Sequence, residues 1–213
     1  MSELVVVAYH NGSQYLEPLL DSLMYPTLVV DTGSRPDEQE YLRRHSQVES
    51  LFIQGGGCTE AYLQGYRLHP GCDHYFFMHD SMRVKERDFM PFFAHQRPVT
   101  AWIGFNMDWG TPESAEGRWL ASAYGSLDRA IPPYAIFGPI FYASAAAMSA
   151  IEKVNLWSPP LWSRSDLTAS ERGLAIGFHR AGFTPDFLEP YDNDRIDVYR
   201  NYRFFDKYRP NRP

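Results

Sequence analysis

The chain has 213 residues, of which 44% are hydrophobic and 22% are charged, an ordinary globular composition that excludes wholesale disorder, coiled coil and collagen-like structure. Twenty Lys and Arg against 26 Asp and Glu give a net charge of −6, so no global positive field favours a nucleic-acid partner. Two cysteines cannot form a disulfide framework, and no apolar stretch predicts a transmembrane segment. We therefore expect a cytoplasmic protein in a reducing compartment.

Short apolar runs in the first part of the chain predict four buried strands, over residues 4–9, 27–31, 50–54 and 74–79. Helical patterns alternate with them over residues 13–24, 36–45 and 59–68, and Thr59 is the expected N-cap of the last. This alternation predicts an α/β fold with a mostly parallel sheet flanked by helices. Ligands of such sheets bind beyond the carboxyl ends of the strands.

The second part of the chain has a less regular pattern. It predicts helices over residues 85–94, 145–154 and 170–181, the last ended by Gly182, and strands over residues 100–105 and 134–142. Residues 186–213 mix charges with aromatic side chains, and we expect them to form a tail that wraps the domain.

Asp31 ends the second predicted strand and is followed by Thr-Gly-Ser. A carboxylate there can accept hydrogen bonds from a nucleoside base or ribose, or it can close its own turn. Three glycines, at 55–57, precede the third predicted helix, and such a loop lets backbone N–H groups approach a phosphate. The sequence contains neither the P-loop pattern nor the dinucleotide-binding glycine pattern.

His79 and Asp80 end the fourth predicted strand. Oxygen ligands favour hard cations such as Mg²⁺ or Mn²⁺, so Asp80 is a candidate metal ligand, although a strand-end Asp also caps turns. Glu171 lies at the start of the last predicted helix. It is a candidate general base, and a Glu in a first helical turn is also a favourable partner of the helix dipole.

Six motifs occur in this order: LVVVAYHNGSQYLEPLLDSL, TLVVDTGS, GGGCTEAYLQGYRL, YFFMHDSM, GPIFYASAAAM and SERGLAIGFHRAGF. Together they resemble a nucleotide-sugar glycosyltransferase of the GT-A fold, closest to family 2, over about residues 4–183. The resemblance implies a single domain over residues 1–185, with a nucleotide-binding half at about 1–105 and an acceptor half at about 106–185.

The resemblance also implies roles for particular residues. The nucleotide-binding positions are Ala8, Tyr9, Asn11, Asp31, Gly56, Gly57 and His79. The family's Asp-x-Asp metal motif falls on His79-Asp80-Ser81, which makes Asp80 the expected ligand of Mn²⁺ or Mg²⁺. Glu171 occupies the position of the catalytic base, and the sugar or acceptor positions are Trp109, Gly138 and Pro139.

The implied reaction is an inverting, metal-assisted transfer of a sugar from a nucleoside diphosphate sugar to a hydroxyl of a glycan, lipid-linked or protein acceptor. One alternative is a degenerate GT-A-like module that binds a nucleotide or a glycan without catalysis, because the metal motif keeps a single carboxylate. Another is a nucleotidyltransferase on a similar sheet, although no Gly-rich signature with Lys or Arg follows the first strand.

Overall fold

The computed structural model describes residues 2–46, 48–106, 134–136, 138, 140–154, 164–191 and 203–207. The first apolar runs form four strands, β1 (Glu3–Tyr9), β2 (Thr27–Asp31), β3 (Glu49–Phe52) and β4 (His74–His79). Strand β1 pairs in parallel with β2 and with β4, and β2 pairs in parallel with β3. These strands read as continuous apolar runs because strands of a parallel sheet are covered on both faces.

Three helices, α1 (Ser13–Ser22), α2 (Pro36–Arg44) and α3 (Gly57–Leu68), connect these strands. Alternate side chains of β1 enter two different apolar clusters, because successive residues of a strand point to opposite faces. Val7 belongs to the same cluster as Leu16 of α1 on one face, and Val6 to the same cluster as Ala61 of α3 on the other. The helices therefore cover both faces, and the predicted α/β fold class is confirmed.

The second part of the chain extends this sheet. Its elements are β5 (Met82–Val84), α4 (Met90–Gln96), β6 (Val99–Asn106), β7 (Tyr134–Ile136), β8 (Phe141–Ser144), α5 (Ala145–Lys153), α6 (Arg164–Arg180), β9 (Asp186–Tyr191) and β10 (Phe205–Lys207). The sheet order is β3-β2-β1-β4-β8-β6-β7, and β9 also pairs with β6. Strand β8 is antiparallel to both β4 and β6.

Some predicted element bounds are wrong. Residues 134–142 form two strands because Gly138 between them has φ +58°, outside the range of an extended strand. The helix predicted over 85–94 begins only at Met90, because Pro91 fits the first turn of a helix and not its interior. Helix α3 begins at Gly57, so Thr59 is not its N-cap, and α6 begins at Arg164.

Two short strands anchor described parts of residues 186–213. Strand β9 pairs in parallel with β6 in the main sheet, and β10 pairs with β5 in an antiparallel ribbon. The ring of Phe205 packs 5.4 Å from that of Phe76 and 5.1 Å from that of Phe89, so β10 closes over an aromatic cluster. Within the described ranges, no helix has both the length and the apolar composition to cross a membrane.

Candidate functional site

A cavity of about 390 Å³ opens at the carboxyl ends of the parallel strands. It lies between the ends of β1, β2 and β4 and the loop before α3, and its lining residues are Ala8, Tyr9, His10, Thr32, Gly55, Gly56, Gly57, Cys58, His79 and Asp80. Ligand sites in open α/β sheets lie at this edge, where neighbouring crossovers leave a crevice. Six of the ten lining residues are positions for which the sequence predicts nucleotide or metal binding.

Asp80 lies against the loop between β1 and α1. Its backbone N–H donates to the carbonyl oxygen of Ala8 at 3.0 Å, and its Oδ2 accepts a hydrogen bond of 2.9 Å from the N–H of His10. A Cβ atom added to Gly12 would lie 2.3 Å from the same Oδ2. The carboxylate can rest on this loop because residue 12 has no side chain.

Asp31, a predicted nucleotide-binding residue, is fully buried. Its Oδ1 accepts the N–H of Ser34 at 3.1 Å, and its Oδ2 accepts Nε2 of Gln39 at 2.9 Å. The carboxylate therefore closes its own turn and anchors α2. Asp31 is not among the described residues that line the cavity. A nucleotide contact by its side chain stays a prediction.

Asn11, another predicted nucleotide-binding residue, joins two loops beside the cavity. Its backbone has φ +55°, a left-handed conformation that Asn adopts more readily than most residues. Its N–H donates to Oγ of Ser34 at 2.9 Å, and its Oδ1 accepts the N–H of Arg35 at 2.8 Å. Asn11 thus holds the end of β1 against the end of β2, and its own contact with a nucleotide also stays a prediction.

Glu38 holds the Tyr9 side chain in position, and the sequence analysis does not identify it. It is buried in the first turn of α2, where its carboxylate accepts a short hydrogen bond from the Tyr9 hydroxyl and 3.1 Å bonds from the N–H and Oγ of Ser13. Arg35 approaches it to 3.5 Å. The sequence signal for Glu38 is an acidic residue in the first turn of a helix. Residues whose role is a favourable interaction with the helix dipole show the same signal.

The electrostatics of this network keep Glu38 ionised and Tyr9 neutral. Burial acts to raise the pKa of Glu38, but the hydrogen bonds from Tyr9 and Ser13 and the charge of Arg35 outweigh it and lower that pKa. Burial, and then the bond to Glu38, raise the pKa of the Tyr9 phenol. Tyr9 is therefore a fixed hydrogen-bond donor, and it is one of the residues that line the cavity.

The glycine turn forms another part of the wall. Gly55, Gly56 and Gly57 have φ values of +75°, +88° and +64°, and a Cβ atom on Gly56 would lie 2.6 Å from Cβ of Glu60. This left-handed turn leads directly into α3, whose N-cap, Gly56, has no side chain to bond the first-turn N–H groups. Such groups bind anions, including phosphates.

A buried contact joins α3 to α6, the helix that contains Glu171. Oγ1 of Thr59 lies 3.1 Å from Oγ of Ser170, the residue before Glu171. The side chain of Glu171 lies outside the described part of the structure, as do Trp109 and Pro139. Gly138 lies in the turn between β7 and β8, and the described lining of the cavity does not include it.

Whether a divalent cation fits this cavity depends on the carboxylate of Asp80. Among the described residues, no group of three or more His, Cys, Asp or Glu side chains is arranged to hold a metal ion. Mg²⁺ is commonly bound by one or two carboxylates together with substrate phosphates. One carboxylate on the cavity wall, beside the uncapped N-terminus of α3, is compatible with that donor set.

The sequence matches no family model and no curated protein. The structure is similar to TarS of S. aureus, with 15% identity and a TM-score of 0.51 over 97% of this chain and 36% of that one. It is similar to GalNAc-T7, solved with UDP, GalNAc and Mn²⁺, with 14% identity and a TM-score of 0.52 over 90% of this chain and 44% of that one.

A third similar structure is the mannosyltransferase PcManGT from Pyrobaculum calidifontis in complex with GDP-Man and Mn²⁺, with 14% identity and a TM-score of 0.56. This match covers 88% of the present chain and 54% of that one. The chain thus spans between about a third and about a half of the length of these proteins. Its fold is the GT-A-like glycosyltransferase fold, which the sequence motifs predict.

Proposed function

We propose that the protein is a glycosyltransferase that binds a nucleoside diphosphate sugar in the cavity at the carboxyl edge of the sheet. The observation that carries the proposal is the composition of this one cavity wall. It combines the ends of β1 and β4, a left-handed glycine turn that opens a helix, and the carboxylate of Asp80. These features suit, in turn, a nucleoside, a diphosphate and a divalent cation.

In this proposal the nucleoside binds beside Ala8 and Tyr9, with Asn11 and Asp31 holding the loops around it. Glu38 accepts a hydrogen bond from the Tyr9 hydroxyl at the end of β1, and Asn11 joins the two strand ends. The wall is therefore formed before the ligand arrives, which reduces the entropy lost on binding. Two of the similar structures contain UDP or GDP-Man, which supports a UDP-sugar or GDP-sugar donor.

The diphosphate binds at the glycine turn and Asp80 in this proposal. Gly56 and Gly57 direct the first-turn N–H groups of α3 at it, and Asp80, with His79 beside it, would hold Mn²⁺ or Mg²⁺. Such a cation neutralises the charge that develops on a departing diphosphate. Support for the metal comes from the donor set at Asp80 and from the Mn²⁺ in two similar structures.

Glu171 is the proposed general base. In an inverting transfer the acceptor hydroxyl attacks the anomeric carbon, the bond to the diphosphate breaks, and Glu171 takes the hydroxyl proton. The buried contact of Ser170 with Thr59 supports this role, because Thr59 shares its helical turn with Gly57 and Cys58 of the cavity wall.

The acceptor is proposed to be a hydroxyl of a glycan, a lipid-linked sugar or a protein. It would bind near Gly138 and Pro139, with Trp109 as a surface on which a sugar ring stacks.

The proposed location is the cytoplasm. Cys58 and Cys72 are thiols rather than a disulfide, which supports a reducing, cytoplasmic location.

Donor binding is the first test of the proposal. Thermal unfolding is measured with UDP-, GDP-, CMP- and dTDP-sugars, each with and without Mn²⁺ or Mg²⁺. A ligand at about 100 times its Kd stabilises the native state by about 2.7 kcal/mol, so one donor should raise Tm clearly, and more with the metal. If folded protein responds to none of these donors, the proposal is wrong.

Asp80→Ala provides the matching test of the metal. It should remove most of the additional Tm increase that Mn²⁺ gives to the bound donor and leave the smaller metal-free increase. An unchanged response to Mn²⁺ would exclude Asp80 as the ligand. The exposed Glu40→Gln variant, on α2, controls for a general change in charge.

A binding module without catalysis is the second candidate. The observation that favours it is the single carboxylate at the metal position, where the family motif has two. It differs from the enzyme in one measurable property, because it would bind the donor and release no nucleoside diphosphate from it.

A further inference from the structure

Two buried hydroxyl groups meet between α3 and α6. Thr59 and Ser170 are both fully buried, and Oγ1 of one lies 3.1 Å from Oγ of the other. Buried polar groups are costly unless they are hydrogen-bonded, so the bond between the two hydroxyls offsets the cost of burying them.

Thr59 is the third residue of α3, and Ser170 is the seventh residue of α6. Both lie on core-facing sides of their helices. Ser170, Leu174 and Phe178 recur at intervals of four residues on one face of α6, and the last two belong to the apolar core. On α3, Thr59 lies on the face that continues with Tyr62 and other core residues. On α6 the hydroxyl of Ser170 is followed by the apolar side chains of Leu174 and Phe178, whereas on α3 the same face also includes the buried phenol of Tyr62.

A buried hydrogen bond defines the register of two helices more closely than apolar packing does. Apolar contacts are not directional, so on their own they tolerate small sliding of one helix along another. A hydrogen bond is short and directional, and buried polar pairs are best attested as devices that fix register between helices. A bond of this kind restrains the axial position of α6 where it meets the first turn of α3.

Both helices place residues of the proposed reaction next to this pair. Gly57 and Cys58, in the same turn as Thr59, form the cavity wall, and Glu171 directly follows Ser170. We propose that Thr59 and Ser170 are positioning residues that set the height of Glu171 relative to the donor bound at the glycine turn. This inference rests on the proposed function and adds a role for two residues that need not touch the substrate.

The test is a kinetic cycle on Thr59. Release of nucleoside diphosphate is measured with the UDP- or GDP-sugar that the wild type uses, in the presence of Mn²⁺. A small misplacement of a catalytic group can cost about a hundredfold in rate, so Thr59→Val should lower kcat by about tenfold or more. The KM for the donor should stay within about twofold, because the glycine turn is kept, and Thr59→Ser should restore kcat.

The Glu171→Gln background separates positioning from a general structural effect. If Thr59 acts through Glu171, Thr59→Val lowers kcat in the wild type and adds little in Glu171→Gln, because coupled residues are not additive. An equal loss in both backgrounds, or an unchanged kcat in the wild type, would overturn the inference. Ser170→Ala goes through the same cycle and decides the question if Thr59→Val does not fold.

Thr100→Val is the matched control. Thr100 is also fully buried, its Oγ1 donates to the carbonyl oxygen of Arg97 at 3.2 Å, and the described cavity lining does not include it. It should lower Tm as Thr59→Val does while kcat stays within about twofold. A wild type that releases no nucleoside diphosphate from any donor overturns the proposed function together with this inference, whereas an active wild type with an unaffected Thr59→Val overturns the inference alone.

Discussion

The backbone N–H of His10 donates a 2.9 Å hydrogen bond to Oδ2 of Asp80, which joins the ends of two neighbouring parallel strands. Gly12 lies against the same carboxylate, since an added Cβ would lie 2.3 Å from Oδ2 and 2.8 Å from Cγ. The position of the proposed metal ligand therefore depends on a residue that has no side chain.

Gly12→Ala tests this dependence. Gly12 has φ −119°, which alanine adopts without strain, so the new methyl group should displace the Asp80 carboxylate rather than the backbone. Changes in the residues that orient a metal ligand typically cost about tenfold to a hundredfold in metal affinity. Titration calorimetry should show a loss of this size in donor binding with Mn²⁺, and a much smaller one without it.

Gly71→Ala is the control for the same substitution away from the site. A Cβ atom on Gly71 meets nothing within 4 Å, so this variant should bind the donor as the wild type does. If Gly12→Ala also binds donor and Mn²⁺ normally, Asp80 does not depend on this contact.

Cys58 gives a chemical probe of the cavity. It lines the cavity, whereas Cys72 precedes β4 at the opposite edge of the sheet. A donor at about ten times its Kd should slow alkylation of Cys58 by N-ethylmaleimide about tenfold, because only the unbound fraction reacts. Peptide mass spectrometry measures both cysteines in one sample, with Cys72 as the internal reference. Equal rates at Cys58 with and without donor would place the donor elsewhere.

Much of the fold can be predicted from the sequence because its signals are local. The predicted bounds 27–31 and 74–79 are those of β2 and β4, since a run of apolar residues buried on both faces is hard to mistake. The alternation with helices then predicts a parallel sheet whose carboxyl ends meet at one edge. Tyr9, His79 and Asp80 lie at that edge for this reason.

Other features depend on contacts between distant parts of the chain. The insertion of β8 between β4 and β6, and the pairing of β10 with β5, leave no local pattern in the sequence. The role of Gly12 follows from its distance to Asp80, and the role of Glu38 follows from its hydrogen bonds with Tyr9 and Ser13. Thr59 has the residue type of a helix cap, and its buried contact with Ser170, 111 residues away in the sequence, leaves no local pattern.

Glu38 should make a pH-dependent contribution to the free energy of unfolding. Its pKa is lower in the folded protein than the ordinary value of 4.5, so its contribution is present above that pH and is lost as pH falls through the lower folded value. Glu38→Gln should cost about 1.5–3 kcal/mol at pH 7, the range for hydrogen bonds to a charged group. Urea unfolding at pH 7 and pH 3 should show this difference shrink in acid.

Glu40→Gln is the control on the same helix. Glu40 is half exposed and pairs with Arg44 at 2.9 Å, and exposed pairs of this kind contribute about 0–1 kcal/mol. A cost of Glu38→Gln that is the same at both pH values, or no larger than that of Glu40→Gln, would contradict this role of Glu38.

Release of nucleoside diphosphate by the wild type and by Glu171→Gln tests the central claim most directly. Removing a general base typically costs about a hundredfold to ten-thousandfold in rate. We expect the wild type to release UDP or GDP from one donor in the presence of an acceptor, and Glu171→Gln to bind that donor with similar affinity while release falls by at least about a hundredfold. Equal release by the two proteins would remove Glu171 from the reaction. A wild type that binds the donor and releases nothing would contradict the glycosyltransferase and leave the binding module.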